Sequence, residues 1–141
     1  MKQPTEVKAF KNELMNYHVY EQRIKTLSEK VELCYHLLGG IKSVDTTKEP
    51  IHSPRNIDAE YKLRDDIELY LDKIANAKAK INDLQAVLER IKDSEGEWVA
   101  DAIFSLYANG TPSRKVAEKY HYAPSSILYV INKAIKKALE Y

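Results

Sequence analysis

The chain has 141 residues, 44% of them hydrophobic and 30% charged, with only four glycines and five prolines. That balance suits one domain, or a small domain with an extended element, and excludes a disordered or collagen-like chain. A net charge of +1 excludes a uniformly basic nucleic-acid binder, and the single cysteine, Cys34, excludes an internal disulfide and a cysteine-based zinc site.

The first ten residues, MKQPTEVKAF, lack the apolar core of a signal peptide. No run approaches the ~18 apolar residues of a membrane span. A cytoplasmic protein with no membrane partner is therefore expected. High Ala, Leu, Ile, Lys and Glu content favours helix throughout, and the expected class is all-α.

Residues 5–38 read as one long helix. Phe10, Tyr17, Ile24, Val31 and Leu38 recur every seven residues, with Tyr20, Leu27 and Cys34 three positions after Tyr17, Ile24 and Val31. Gly39-Gly40 supplies a stop signal. Residues 39–56, GGIKSVDTTKEPIHSPRN, lose the periodicity and read as a flexible linker. A second heptad helix spans 57–92, with Ile67, Ile74, Ile81 and Leu88 in one position and Leu63, Tyr70, Ala77, Leu84 and Ile91 in the other. Two such helices joined by a loop predict an antiparallel hairpin over residues 1–92. Its apolar stripe is either the hairpin's own seam or an oligomerisation seam, and a homodimer is the favoured assembly.

Residues 94–141 form a second expected domain of three helices. Ser94 and Glu97 have the spacing of a capping box for a helix over 94–109, with Trp98, Val99, Ala102, Ile103, Leu106 and Tyr107 on its apolar face. Asn109-Gly110 stops it. Thr111-Pro112 opens a helix through about Lys119, with Thr as cap and Pro at the first helical position. His121 and Tyr122 make a turn, and Pro124 starts the last helix, whose inward face is Ile127, Val130, Ile131, Ala134 and Ile135. Small Ala117 sits where the two helices cross. This is the pattern of a helix-turn-helix. Residues 111–141 carry six Lys or Arg against two Glu, a net of +4, so the positive excess lies on that segment.

The segment YANGTPSRKVAEKYHYAPSSILYVINKAIKKAL resembles the helix-turn-helix of sigma-factor region 4 at Tyr107, Gly110, Val116, Ala117, Tyr122, Ile127 and Ile131. With the paired heptad helices before it, the chain looks like small phage and prophage proteins of Gram-positive bacteria related to late-transcription activators of the ArpU/RinA kind. The resemblance implies a DNA-binding transcription regulator of phage origin in the bacterial cytoplasm. Its partners would be double-stranded DNA and bacterial RNA polymerase, with no cofactor and no metal. The chain departs from the family pattern at His121, where Gly is usual, and at Ala123, which cannot accept a capping hydrogen bond.

If the helix 124–140 enters a major groove, its outward residues Ser125, Ser126, Tyr129, Asn132 and Lys133 are the candidates for base contact. Thr111, Ser113, Arg114, Lys115, Lys119, Lys136 and Lys137 are the candidates for phosphate contact. Leu128 is expected to be exposed on the same face, against a thymine methyl or a protein. Two alternatives remain at this stage. One is a protein–protein module with a degenerate helix-turn-helix, such as a phage inhibitor of a host protein. The other is a small terminase-like subunit for DNA packaging. No enzyme is expected. The four histidines are scattered, Cys34 and His36 project about 200° apart on a helix, and no phosphate-binding glycine loop or nucleophile elbow occurs.

Overall fold

The computed structural model describes residues 5–47 and 54–140. All the regular structure among them is helical, as the composition requires. In chain order the elements are α1 (Thr5–Met15), α2 (Tyr17–Thr47), α3 (Pro54–Glu95), α4 (Glu97–Ile103), a π-helical turn (Phe104–Ala108), α5 (Ser113–Lys119) and α6 (Pro124–Leu139). None of the described helices is long and apolar enough to cross a membrane.

The single helix expected over 5–38 is broken at Asn16. Its N–H bonds to the Glu13 carbonyl at 3.0 Å, a tightened turn, while its side-chain amide donates to the Asn12 carbonyl at 3.3 Å. An asparagine side chain that competes for a backbone carbonyl is a known way to interrupt a helix. The predicted stop at Gly39-Gly40 is also corrected, because α2 continues to Thr47 and α3 begins at Pro54. Glycine permits a helix end without dictating one, and its cost inside a helix is only about 1 kcal/mol. Of the linker expected over 39–56, residues 48–53 lie outside the described residues.

The contacts divide the chain into two compact units, and the division is not the one expected at residue 93. One unit combines the segment ending at Tyr20 with the segment beginning at Lys80. The other is Glu21–Ala79.

The Glu21–Ala79 unit is two helical segments sharing one seam. Leu27, Val31, Cys34 and Leu38 of α2 pack with Ile67 and Ile74 of α3, and Ile24, Leu63 and Tyr70 flank them half-buried. These are the heptad positions, which is why the period was visible. Lys30 lies 5.6 Å over the Tyr70 ring, whereas Leu38, later on α2, lines a groove with Ile67, earlier on α3, so the two segments run antiparallel.

In the other unit, α1 packs on the π-helical turn and on α6. Val7, Phe10 and Leu14 are buried there, with Leu14 completely so. Ile91, Val99, Ile103, Ile127, Ile131 and Ile135 fill the same unit's interior. Tyr17 closes one side, edge-on to Phe104 at 5.0 Å, with its hydroxyl accepting from Gln85 Nε2 at 2.8 Å.

The Ser94–Glu97 capping box does not form. Ser94 is still within α3, and the N-cap of α4 is Gly96, which makes no side-chain cap bond and sits at φ 105, ψ 156. That conformation is nearly exclusive to glycine. A Cβ there would meet only Trp98 at ordinary contact distance, 3.5 Å. The cost of Gly96→Ala is therefore conformational, about 1–3 kcal/mol, and urea denaturation should register it as a lower midpoint with an unchanged slope.

Candidate nucleic-acid interface

Helices α5 and α6 are joined by a turn at residues 120–123. The turn closes because His121 takes φ 61, the left-handed conformation that the glycine usual at this position would adopt most easily. Tyr122 N–H then bonds to the Ala117 carbonyl at 2.9 Å. Val116 and Ala117 are buried at 2% and 1% exposure, and α5 packs on α6 there. The Tyr122 ring stacks on Trp98 with centroids 5.3 Å apart and planes 11° apart, and Tyr120 lies 5.3 Å from Trp98 on a tilted plane. The turn is thus held from α4 by aromatic contact, replacing the rigidity that the unusual His121 and the missing cap do not supply.

The N-cap of α6 is Ala123, with no side-chain cap bond and Pro124 at the start, as expected. The predicted Thr111 cap of α5 is displaced by one residue: Pro112 is the N-cap, and its carbonyl accepts from Lys115 and Val116 at 3.0 and 3.2 Å. Thr111 N–H is instead used by the Ser105 carbonyl at 2.9 Å, which ties the π-helical turn to the start of α5. At the far end, Arg90 Nη1 donates to the Ala138 carbonyl at 2.8 Å, a cation placed on the free carbonyls of the last turn of α6.

The outward face of α6 presents Ser125, Ser126, Tyr129 and Lys133 to solvent, with Tyr129 68% exposed. Arg114 and Lys115 near the start of α5, and Lys119 at its end, are exposed as well, with Lys119 5.3 Å over the Tyr120 ring. Lys136 and Lys137 are exposed at the end of α6. Lys137 is shared with Glu95 at 3.3 Å, a surface pair worth about 0–1 kcal/mol. Thr111 and Ser113 are half-buried.

Two expectations need correction. Leu128 is half-buried rather than exposed. Asn132 is also half-buried, and its side-chain oxygen accepts from Lys11 Nζ on α1, so it turns toward the protein and not outward. Lys11 is 7% exposed and lies 5.3 Å over the Tyr107 ring. The sequence offers no hint of this cluster, because Lys11 reads as a solvated helix residue and its partner is 121 positions away.

Burial holds the Lys11 ammonium below its usual 10.5 and the Tyr107 phenol above its usual 10.0. Between the lowered value and 10.5, the unfolded chain binds more protons at residue 11 than the folded chain does, so stability rises with pH. Above 10.0 the folded chain retains the Tyr107 proton that the unfolded chain loses, so that residue's contribution falls. Lys11→Met should abolish the rising limb and leave the falling one, read as the urea midpoint against pH.

Among the described residues, no group of three His, Cys, Asp or Glu side chains is placed to hold a metal ion. Comparison with protein-family models, with curated proteins and with solved structures found no match to this chain.

Proposed function

We propose that this protein is a DNA-binding transcription regulator in which α5, the His121 turn and α6 act as a helix-turn-helix. The supporting observation is the outward face of α6: small hydroxyls, Tyr129 and Lys133, all exposed, close in sequence to the exposed cations of α5. Ser125, Ser126, Tyr129 and Lys133 would face base edges, while Arg114, Lys115, Lys119 and Lys136 would hold phosphates. Asn132 positions α6 through Lys11 and is not counted among the base contacts.

With no arginine on α6, the commonest specific contact, a bidentate Arg on guanine, is missing. Discrimination should therefore be modest, and pairing two modules would raise affinity through shared phosphate contacts. The likeness to phage late-transcription activators makes a phage promoter and bacterial RNA polymerase the natural setting. Fluorescence anisotropy with a mixed-sequence duplex at low salt should give binding that weakens steeply as salt rises. No binding even at low salt would refute the proposal.

A second reading has one observation in its favour. Tyr129 at 68% and Tyr122 at 40% exposure put aromatic surface beside the same face, as a protein-docking site would. Such a module would form a stable complex with a host protein and would tolerate replacement of Arg114, Lys115 and Lys133.

A further inference from the structure

The turn between α5 and α6 is built on a residue that does not favour its own conformation. Tyr122 N–H bonds to the Ala117 carbonyl at 2.9 Å and His121 N–H to the Glu118 carbonyl at 3.3 Å. Together these are the paired bonds of a Schellman ending on α5, with His121 where glycine is usual. At φ 61 the Cβ of a non-glycine residue crowds the following carbonyl oxygen. Such a conformation persists only when surrounding contacts over-determine it.

Those contacts come from one indole. Tyr120, just before His121, lies 5.3 Å from Trp98 on a plane tilted by 46°. Tyr122, just after His121, stacks on the same side chain at 5.3 Å and 11°. Trp98 thus meets the residue on each side of the strained one. The indole is itself held in place. It stands on α4, which packs on α6, and its neighbours Val99, Ala102 and Ile103 are buried in that unit. Its Cδ1 edge lies against Gly96, where a Cβ would sit 3.5 Å away. Lys119 lies 5.3 Å over the Tyr120 ring, so the row of rings ends at a cation assigned above to phosphate.

We propose that Trp98 is a positioning residue of the helix-turn-helix: by clamping Tyr120 and Tyr122 it holds His121 left-handed, and so sets the fraction of molecules in which α5 and α6 stand ready to bind. Two aromatic pairs are of the same order as the cost of one left-handed residue, so removing the clamp lets the turn relax. Affinity scales with the fraction of molecules in the competent arrangement. A loosened turn therefore weakens binding without altering any group that touches the ligand. A glycine needs no clamp, because it takes the left-handed conformation freely. The importance of Trp98 thus depends on which residue stands at position 121, whereas a mere core filler would matter equally with either. The clamp stands on geometry alone, and only its consequence for DNA rests on the reading above.

Amide hydrogen exchange at residue 122, read by NMR on the full chain, reports the clamp directly, because that N–H makes the closing bond. The amide of buried Ile131 on α6 serves as reference for overall loss of stability. Relative to it, Trp98→Leu should speed exchange at residue 122 by about tenfold or more. Trp98→Phe, which keeps a ring to stack on, should not. Adding His121→Gly to Trp98→Leu should recover most of the protection. Duplex affinity should follow the same order, falling about threefold or more and then recovering. Tyr122→Leu, at a 40% exposed position, removes the stack without emptying the core and should give both results even where Trp98→Leu does not fold. Exchange at residues 122 and 131 that rises in step, or a selective rise that His121→Gly does not reverse, would overturn the clamp. A selective rise with duplex affinity untouched would overturn the positioning role. A parent chain that binds no duplex while the exchange pattern holds would remove the regulator reading and leave the clamp standing.

Discussion

Replacing Leu14 with Ala should cost about 2–5 kcal/mol of stability, and the chain cut to residues 94–141 should not fold. Leu14 is completely buried, with Phe10 at 6% and Val7 at 2% exposure on the same helix face. All three belong to α1, which packs on the π-helical turn and on α6, the helix proposed to read DNA. Cutting at residue 94 removes that face and also Ile91, another fully buried side chain. About 50 residues with half their core missing cannot offset the entropy of ordering the chain. Circular dichroism of the fragment should show little helix, and urea melts of Leu14→Ala should show a midpoint far below that of the parent. A fragment that unfolds cooperatively, or a Leu14→Ala cost under about 1 kcal/mol, would mean that α1 merely leans on a self-sufficient domain.

That expectation inverts the simplest reading of the sequence, and the reason is physical. Phe10 and Tyr17 keep the same seven-residue step as Ile24, Val31 and Leu38, so the pattern alone places them on one seam. Periodicity records which face of a helix is buried and is silent on what buries it. Asn16 interrupts the helix, and the residues through Tyr20, Phe10 and Tyr17 among them, join a different unit from the rest of α2. The heptads of α2 and α3 were legible because burial there repeats along regular helices. So were the inward face of α6, the left-handed His121 and the uncapped start at Ala123, each set by neighbours a few positions away. The Ser94–Glu97 box was misread because Gly96 can take a conformation no other residue holds cheaply, and that freedom outweighs a cap. The Lys11–Asn132 bond and the Trp98–Tyr122 stack join residues far apart in sequence, and neither leaves a local trace. The candidate interface was therefore readable in its exposed cations and hydroxyls, and unreadable in what holds it in place.

Charge reversal at Arg114, Lys115 and Lys133 together should abolish DNA binding under conditions where the parent chain binds. The three side chains are exposed and make no ion pair among those resolved, so their reversal costs the fold little. The net charge of residues 111–141 would change from +4 to −2, turning attraction to phosphate into repulsion. Each phosphate contact contributes about 0.9 to the slope of log affinity against log salt, so single replacements by Gln should lower that slope by nearly one unit each if the residue meets a phosphate. A residue that meets a base edge should instead change the ranking of duplex sequences and move the slope less. Lys133, on the outward face of α6, is assigned to base contact, whereas Arg114 and Lys115 are assigned to phosphate. The single variants should divide along that line. Equal slopes for all three and the parent, with binding intact, would show that DNA does not lie across this face. Asn132→Ala gives an independent check, since its oxygen is engaged by Lys11. Its effect should appear in stability and in affinity for all duplexes alike, without a change in sequence preference.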